Sequence, residues 1–165
     1  MTDQIVAGLK REASRIEEDC TLSAKGHFVA ASGWEKRHYR IGIPSTIGAG
    51  IGGVSIISNY PIIGAAIAGI VAVASGILTF LNPMEKSAKH LSAGNSFNEL
   101  KNKARFFSEV ELGLFTTLGE AKSALEKLAF LKDELNKSSR QIPRWAFEVA
   151  RKGVESGEAT YQVDK

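Results

Sequence analysis

Polar and apolar positions in this chain are sorted into three blocks. From Ile41 to Met84 there is no Asp, Glu, Lys, Arg or His, a run of 44 residues. Both flanks are densely charged and carry apolar residues at helical spacing. In the first flank Ile5, Leu9, Ile16, Cys20, Ala24, Phe28 and Ala31 keep mostly to one stripe, and Glu12–Arg15 and Arg15–Asp19 can pair along it. No proline interrupts residues 2–40, so the spacing predicts one long helix running into the apolar block, with Gly26 and Gly33 as tolerated weak points. Beyond the block, Ala93, Phe97, Leu100, Ala104 and Phe107 recur at 4-3-4-3 spacing and predict another helix. Leu118, Ala121, Leu125, Leu128, Leu131 and Leu135 predict the next, ended by "NKSS". Pro143 then opens a short helix carrying Trp145, Phe147 and Val149, and the polar run from Gly153 to Lys165 reads as a frayed tail. These stripes suit the core of a helical bundle first, and oligomerisation seams second.

The uncharged block is long enough for two membrane crossings. "IGIPSTIGAGIGGVSIIS" (41–58) and "PIIGAAIAGIVAVASGILTFL" (61–81) each approach the roughly 20 residues, at ~1.5 Å rise, that cross a bilayer core. "SNYP" between them is a helix-ending turn: Asn59 tolerates left-handed geometry and Pro61 suits a first helical position. The second crossing carries Ile62, Ile63, Ile67, Ile70, Val71, Val73, Ile77, Leu78, Phe80 and Leu81, each favouring insertion by about 0.3–0.6 kcal/mol. The first is diluted by Gly and Ser and is expected to insert as the partner of the second. A soluble protein of 165 residues would have few residues left to enclose such a block. The expected fold is therefore all-α and a single domain. A two-helix transmembrane hairpin (41–58 and 61–82) is continuous with a cytoplasmic bundle of long helices (1–40 and 83–157), followed by a tail (158–165).

"GAGIGG", Gly48 to Gly53, matches the G-x-G-x-x-G loop that cradles a dinucleotide pyrophosphate. That loop needs a strand before it and an acid about 20 residues after it. Here Pro44 would interrupt a central strand, the first acid downstream is Glu85, and no Lys follows in P-loop spacing. The glycines suit helix packing better. Gly64, Ala68, Ala72 and Gly76 recur every four residues as a small-xxx-small stripe on the second crossing, where close backbone approach holds helices together in lipid. Ser45, Gly48, Gly52, Ser55 and Asn59 follow 3-4-3-4 spacing on the first, a narrow, mildly polar seam fit either for a dry helix contact or for lining a pore.

Charge and composition then set the orientation and narrow the chemistry. Lys36, Arg37 and Arg40 precede the first crossing, Lys86 and Lys89 follow the second, and the turn has no charge, which places both termini in the cytoplasm. Simple headgroup anchoring accounts for these residues, and Trp34, Tyr39 and Tyr60 suit the interfaces. A net charge of +3 is too weak to argue for nucleic acid. The lone Cys20 excludes an internal disulfide, fits a reducing compartment and falls on the packing stripe; no signal peptide is visible. His27, His38 and His90 stand in no zinc or triad spacing, so no catalytic, metal or cofactor site is assembled. His27 suits a structural or polar contact inside the bundle. His38 and His90 both lie near the membrane boundary, where folding of the hairpin could bring them together.

The segments "AKGHF", "WEKRHYRIGIPSTIGAGIGG", "LNPMEKSAKHLSAGNSFNELKNKARFF" and "IPRWAFEVA" resemble, in order and placement, the SLATT family of bacterial two-transmembrane proteins associated with nucleotide-signalling conflict systems. The resemblance spans roughly residues 24–150, and His27, Arg37, His38, Pro44, Pro83, His90, Gly94, Asn95 and Phe97 fall on recurring family positions. It implies an effector of the bacterial inner membrane, and since two crossings cannot enclose a water path, a pore would need a homo-oligomer. Such an effector opens pores or disrupts the membrane when a sensor or nucleotide signal reports a phage, killing or arresting the cell. His27, Arg37, His38, His90 and Asn95 are then candidates for gating or bundle contacts. No sensor domain is fused within these residues, so the trigger is expected from a separate partner. A non-conducting membrane-anchored scaffold that recruits a cytoplasmic partner is the alternative.

Overall fold

The computed structural model describes residues 2–58 and 60–161. Every described element is helical: α1 (Thr2–Ile57), α2 (Pro61–Leu81), α3 (Pro83–Glu109), a 3-10 turn (Glu111–Gly113), α4 (Leu118–Ser138) and α5 (Arg144–Glu155). The chain forms two compact units, residues 1–30 with 89–165, and residues 31–88.

In the first unit the predicted stripes become the core. Ile16, Cys20 and Ala24 of α1 pack with Phe97, Leu100, Ala104 and Phe107 of α3 and with Leu125 and Leu128 of α4. Two stripe members stay outside it: Ile5, at the start of α1, and Leu131 are exposed, while Leu135 beyond it packs against the core. Gly94 marks a close approach of α1 and α3: a Cβ there would lie 2.7 Å from the Phe28 ring. A complete capping box starts α4, with Thr117 Oγ1 accepting from the Glu120 N–H and the Glu120 carboxylate accepting from the Thr117 N–H. The last helix differs from expectation. It turns Ala146, Ala150 and Gly153 inward and leaves Phe147 and Val149 exposed. Small residues at 4-3 spacing let α5 approach closely, and they add little to a hydropathy pattern that follows the large side chains.

The second unit contains the uncharged block. α1 runs through Pro44 without a break. α1 and α2 lie antiparallel: contacts pair Gly42 with Leu78, Gly48 with Val71, Gly52 with Ile67 and Ile56 with Gly64. Pro61 opens α2 at its first position, as the turn chemistry predicts, with Tyr60 before it at the N-cap; Asn59 lies outside the described residues. Asn82 closes α2 in the left-handed region, φ 40°, with its N–H donating to the Leu78 carbonyl. Its side chain also caps α3, accepting from the Glu85 N–H and donating to the Glu85 carboxylate. Ser87 Oγ donates to the Ala31 carbonyl at 2.9 Å, which fixes the start of α3 to α1.

One helical stretch among the described residues, Pro61–Gly113, is long and apolar enough to cross a membrane. Its most apolar window has a mean hydropathy of 2.3, and 6% of that window is buried. The apolar part is α2.

Candidate functional site

Two features stand out: the bare apolar surface of α2 with the α1 face packed against it, and a buried histidine pair in the bundle.

On α2, Ile62 is 84% exposed, Ile70 71%, Val73 66% and Phe80 93%. The α1-facing side is narrow: Gly64 is buried, and Ile67, Val71, Ala74 and Leu78 are half-buried. That face has 3-4-3-4 spacing, which follows a straight helix edge. A strict four-residue repeat drifts about 40° per step around a 3.6-residue helix. The Gly64, Ala68, Ala72 and Gly76 stripe therefore leaves the contact after its first member. Ala68 and Ala72 are exposed, and a Cβ at Gly76 would meet nothing within 4 Å. Only Gly64 of the four packs against α1.

The seam on α1 is where the two helices meet. A Cβ on Gly48 would lie 3.1 Å from Val71, and one on Gly52 would lie 3.2 Å from Ile67. Ser45 and Ser55 are half-buried, and each hydroxyl donates to the backbone carbonyl four residues earlier, at 2.7 and 2.9 Å. Thr46 and Thr79 do the same. Bonded in this way, hydroxyls offer little polarity to their surroundings, which is what a helix without water requires. Asn59, the last seam residue, lies outside the described residues.

Gly64 is the closest point of this contact. A Cβ there would sit 2.8 Å from the Gly52 carbonyl oxygen and against the Ile56 side chain and backbone. Backbone cannot swing away as a flexible side chain can. Gly64→Ala is therefore expected to destabilise the α1–α2 contact by about 1–3 kcal/mol, the usual cost of overpacking. Gly69→Ala, in open space, is expected to leave it unchanged. Thermal unfolding of both variants in the same detergent checks this.

The histidine pair lies in the first unit. His27 and His90 are 2% and 1% exposed, and their Nδ1 atoms are 2.9 Å apart. The pairing is therefore His27 with His90, not His38 with His90. One ring must donate its Nδ1–H and the other accept through a bare Nδ1, so the accepting ring is neutral and the two cannot both be charged in this arrangement. The His27 ring also stacks on Phe97 at 5.5 Å and 16°. Burial, with the nearby His90 adding to it, pushes the His27 pKa down to about 4. Burial also lowers His90, with a contribution from the Arg140 charge. Burial raises the Cys20 thiol to about 11, which holds it as an inert thiol on the packing stripe.

The other candidate residues are more open. Asn95 is exposed. Arg37 and Lys86 both stack on Trp34, at 4.6 and 4.5 Å from the ring centre. His38 is half-buried and its Nδ1 is enclosed without a hydrogen-bond partner. Among the described residues, no group of three or more His, Cys, Asp or Glu comes together as a metal site. The histidine pair was not visible in sequence spacing, since 63 residues separate its members. Their places on the inward faces of two stripes, His27 three residues after Ala24 and His90 seven before Phe97, were the available signal.

No family model, curated protein or solved structure matches this chain.

Proposed function

We propose that this protein is an oligomeric effector of the bacterial inner membrane that opens a pore, or otherwise breaches the bilayer, when a separate sensor or nucleotide signal triggers it. Cell death or growth arrest is the outcome in that reading. The observation that supports it best is α2: a helix this long and apolar, with its apolar side chains outward, needs lipid or other helices around it. In this reading α1 residues 41–57 enter the bilayer with α2 as a transmembrane hairpin. The basic residues at Lys36, Arg37, Arg40, Lys86 and Lys89 hold both termini in the cytoplasm. The segments that resemble the SLATT family point the same way.

Two crossings have no interior, so several copies must ring any lumen. The exposed Ala68 and Ala72 give neighbouring copies a surface for close approach. Gly48 and Gly52 are occupied by α2, so any lumen would be lined by residues other than these unless the hairpin repacks. A trigger acts by binding one packing of the helices more tightly than the other. The test is dye release from liposomes carrying the purified chain, together with its mass in detergent. The wild type is expected to assemble and release dye, and Ala72→Leu to lose both. A monomer that inserts and releases nothing overturns the reading.

A membrane-anchored scaffold is the second reading, and one observation favours it. A groove of about 730 Å³ in the bundle is lined by Phe106, Val110 and Leu128 beside Lys103, Arg105 and Glu109, a surface suited to a partner helix. This reading predicts no leakage, and tolerance of an unrelated hairpin in place of residues 41–82.

A further inference from the structure

The polar run after Gly153, expected from its sequence to fray, is folded back as far as Tyr161. Gly157 takes the left-handed region, φ 85°, which a glycine enters without strain. The Glu158 N–H then donates to the Gly153 carbonyl at 3.0 Å and the Gly157 N–H to the Val154 carbonyl at 2.9 Å, the paired bonds that turn a chain at a helix end. The turned segment reaches two other helices of the bundle. Glu158 pairs with Lys25 of α1 across Gly153, where a Cβ would lie 2.5 Å from the Lys25 ammonium. Three residues on, Tyr161 meets α3. Its hydroxyl oxygen accepts from Lys101 Nζ at 3.1 Å, and its ring centre lies 4.9 Å from that ammonium and 4.5 Å from the Arg105 guanidinium.

Lys101 is 9% exposed, beside Leu100 in the core, so its ammonium needs an acceptor. Among the described residues neither Lys101 nor Arg105 has a carboxylate partner, and the Tyr161 phenol takes that place. By contrast, no residue from 156 to 161 is fully buried. The segment is held by polar contacts, and segments with few buried apolar contacts are the first to open locally.

We propose that residues 156–161 form a releasable brace between α1 and α3, whose two anchors, Glu158 on Lys25 and Tyr161 on Lys101, let go together. Two residues separate the anchors, and the Thr160 N–H between them is bonded to the Gly157 carbonyl at 3.1 Å. So short and bonded a link passes the loss of one anchor to the other. Opening returns the Lys101 ammonium to water. The brace needs no membrane to exist; in the effector reading it gives a trigger a place to loosen α1 from α3.

The test is a brief pulse of N-hydroxysuccinimidyl acetate on the full chain in detergent, with labelling read at each lysine by mass spectrometry. Tyr161→Ala is expected to raise Lys101 labelling about tenfold, the size of one lost hydrogen bond to a charged group. It is also expected to raise Lys25 labelling, although the contacts of Tyr161 are to α3. Glu158→Gln reads the reverse direction: Lys25 and Lys101 both label faster, by about threefold, the scale of an exposed ion pair. Lys103, exposed on the same helix as Lys101, should label equally in all three chains. Cys20, fully buried, should stay closed to a maleimide, which shows the bundle intact; if Tyr161→Ala opens it, Glu158→Gln decides alone. Lys101 labelling as fast in the wild type as in Tyr161→Ala overturns the brace. So does a Lys25 rate unmoved by Tyr161→Ala, or a Lys101 rate unmoved by Glu158→Gln.

Discussion

Between pH 6.5 and pH 4 the bundle of residues 1–30 and 89–165 is expected to lose about 3 kcal/mol of stability through His27 alone. The sign follows from where the proton binds. In the unfolded chain His27 takes up a proton near its ordinary pKa of 6.5; in the folded chain it resists until about pH 4. Across that window the unfolded state holds more protons, so each unit of acidification favours unfolding by about 1.4 kcal/mol. The contribution is fully present above pH 6.5 and gone below about pH 4. His90, lowered for the same first reason, steepens the loss. The two Nδ1 atoms at 2.9 Å cannot both carry a proton without repulsion, and Arg140 adds a third positive charge near His90. Denaturant melts of the full chain at half-unit pH steps check this. Most carboxylates titrate lower, so the slope between pH 6.5 and 5 isolates the histidines. The double variant His27→Phe, His90→Phe replaces both polar partners with apolar rings and is expected to flatten that slope. An unchanged slope would mean that the pair is not buried as a neutral unit.

How much of this was legible before the fold was known depends on the kind of signal. Helix existence was legible because apolar residues at 3-4 spacing have one physical solution, and the stripes of α1, α3 and α4 do form the core. The uncharged block was legible as helix from its length and lack of charge, since 41–58 and 61–81 each approach the roughly 20 residues of a spanning helix. Its internal faces were harder. Gly64, Ala68, Ala72 and Gly76 look like one edge when read as a list, yet four-residue steps wind around the helix, so only Gly64 reaches α1. Gly48 and Gly52, spaced four apart but flanked at three by Ser45 and Ser55, track the true edge. The inward face of α5 escaped because Ala146, Ala150 and Gly153 are nearly silent in hydropathy, while Trp145 and Phe147 attract the eye. The His27–His90 contact depends on the register between α1 and α3, which Gly94 against Phe28 helps to set. No local pattern encodes such a register.

Two arginines on the outer face of α2, Ile70→Arg with Val73→Arg, are expected to move the chain out of the membrane fraction. Both positions lie at the middle of the 21-residue helix and face away from α1. A charged residue at the centre of a spanning helix costs about 2.5–3.5 kcal/mol on insertion scales, so the pair costs roughly 5–7 kcal/mol. The isoleucine and valine they replace had each favoured insertion by about 0.3–0.6 kcal/mol, which adds to the loss. In a water-soluble protein the same substitutions at exposed positions would be nearly neutral, and would improve solubility by breaking an apolar patch. The two environments thus predict opposite outcomes for one variant. Alkaline-washed membranes should retain the wild type and release the double variant into the supernatant or into aggregates. If both chains stay in solution without detergent and melt alike, α2 is a solvated helix, and the pore reading does not survive. A paired control, Phe130→Arg, places one arginine on an exposed apolar position of α4, outside the uncharged block. It is expected to leave membrane retention untouched, which ties the effect to α2 rather than to added positive charge.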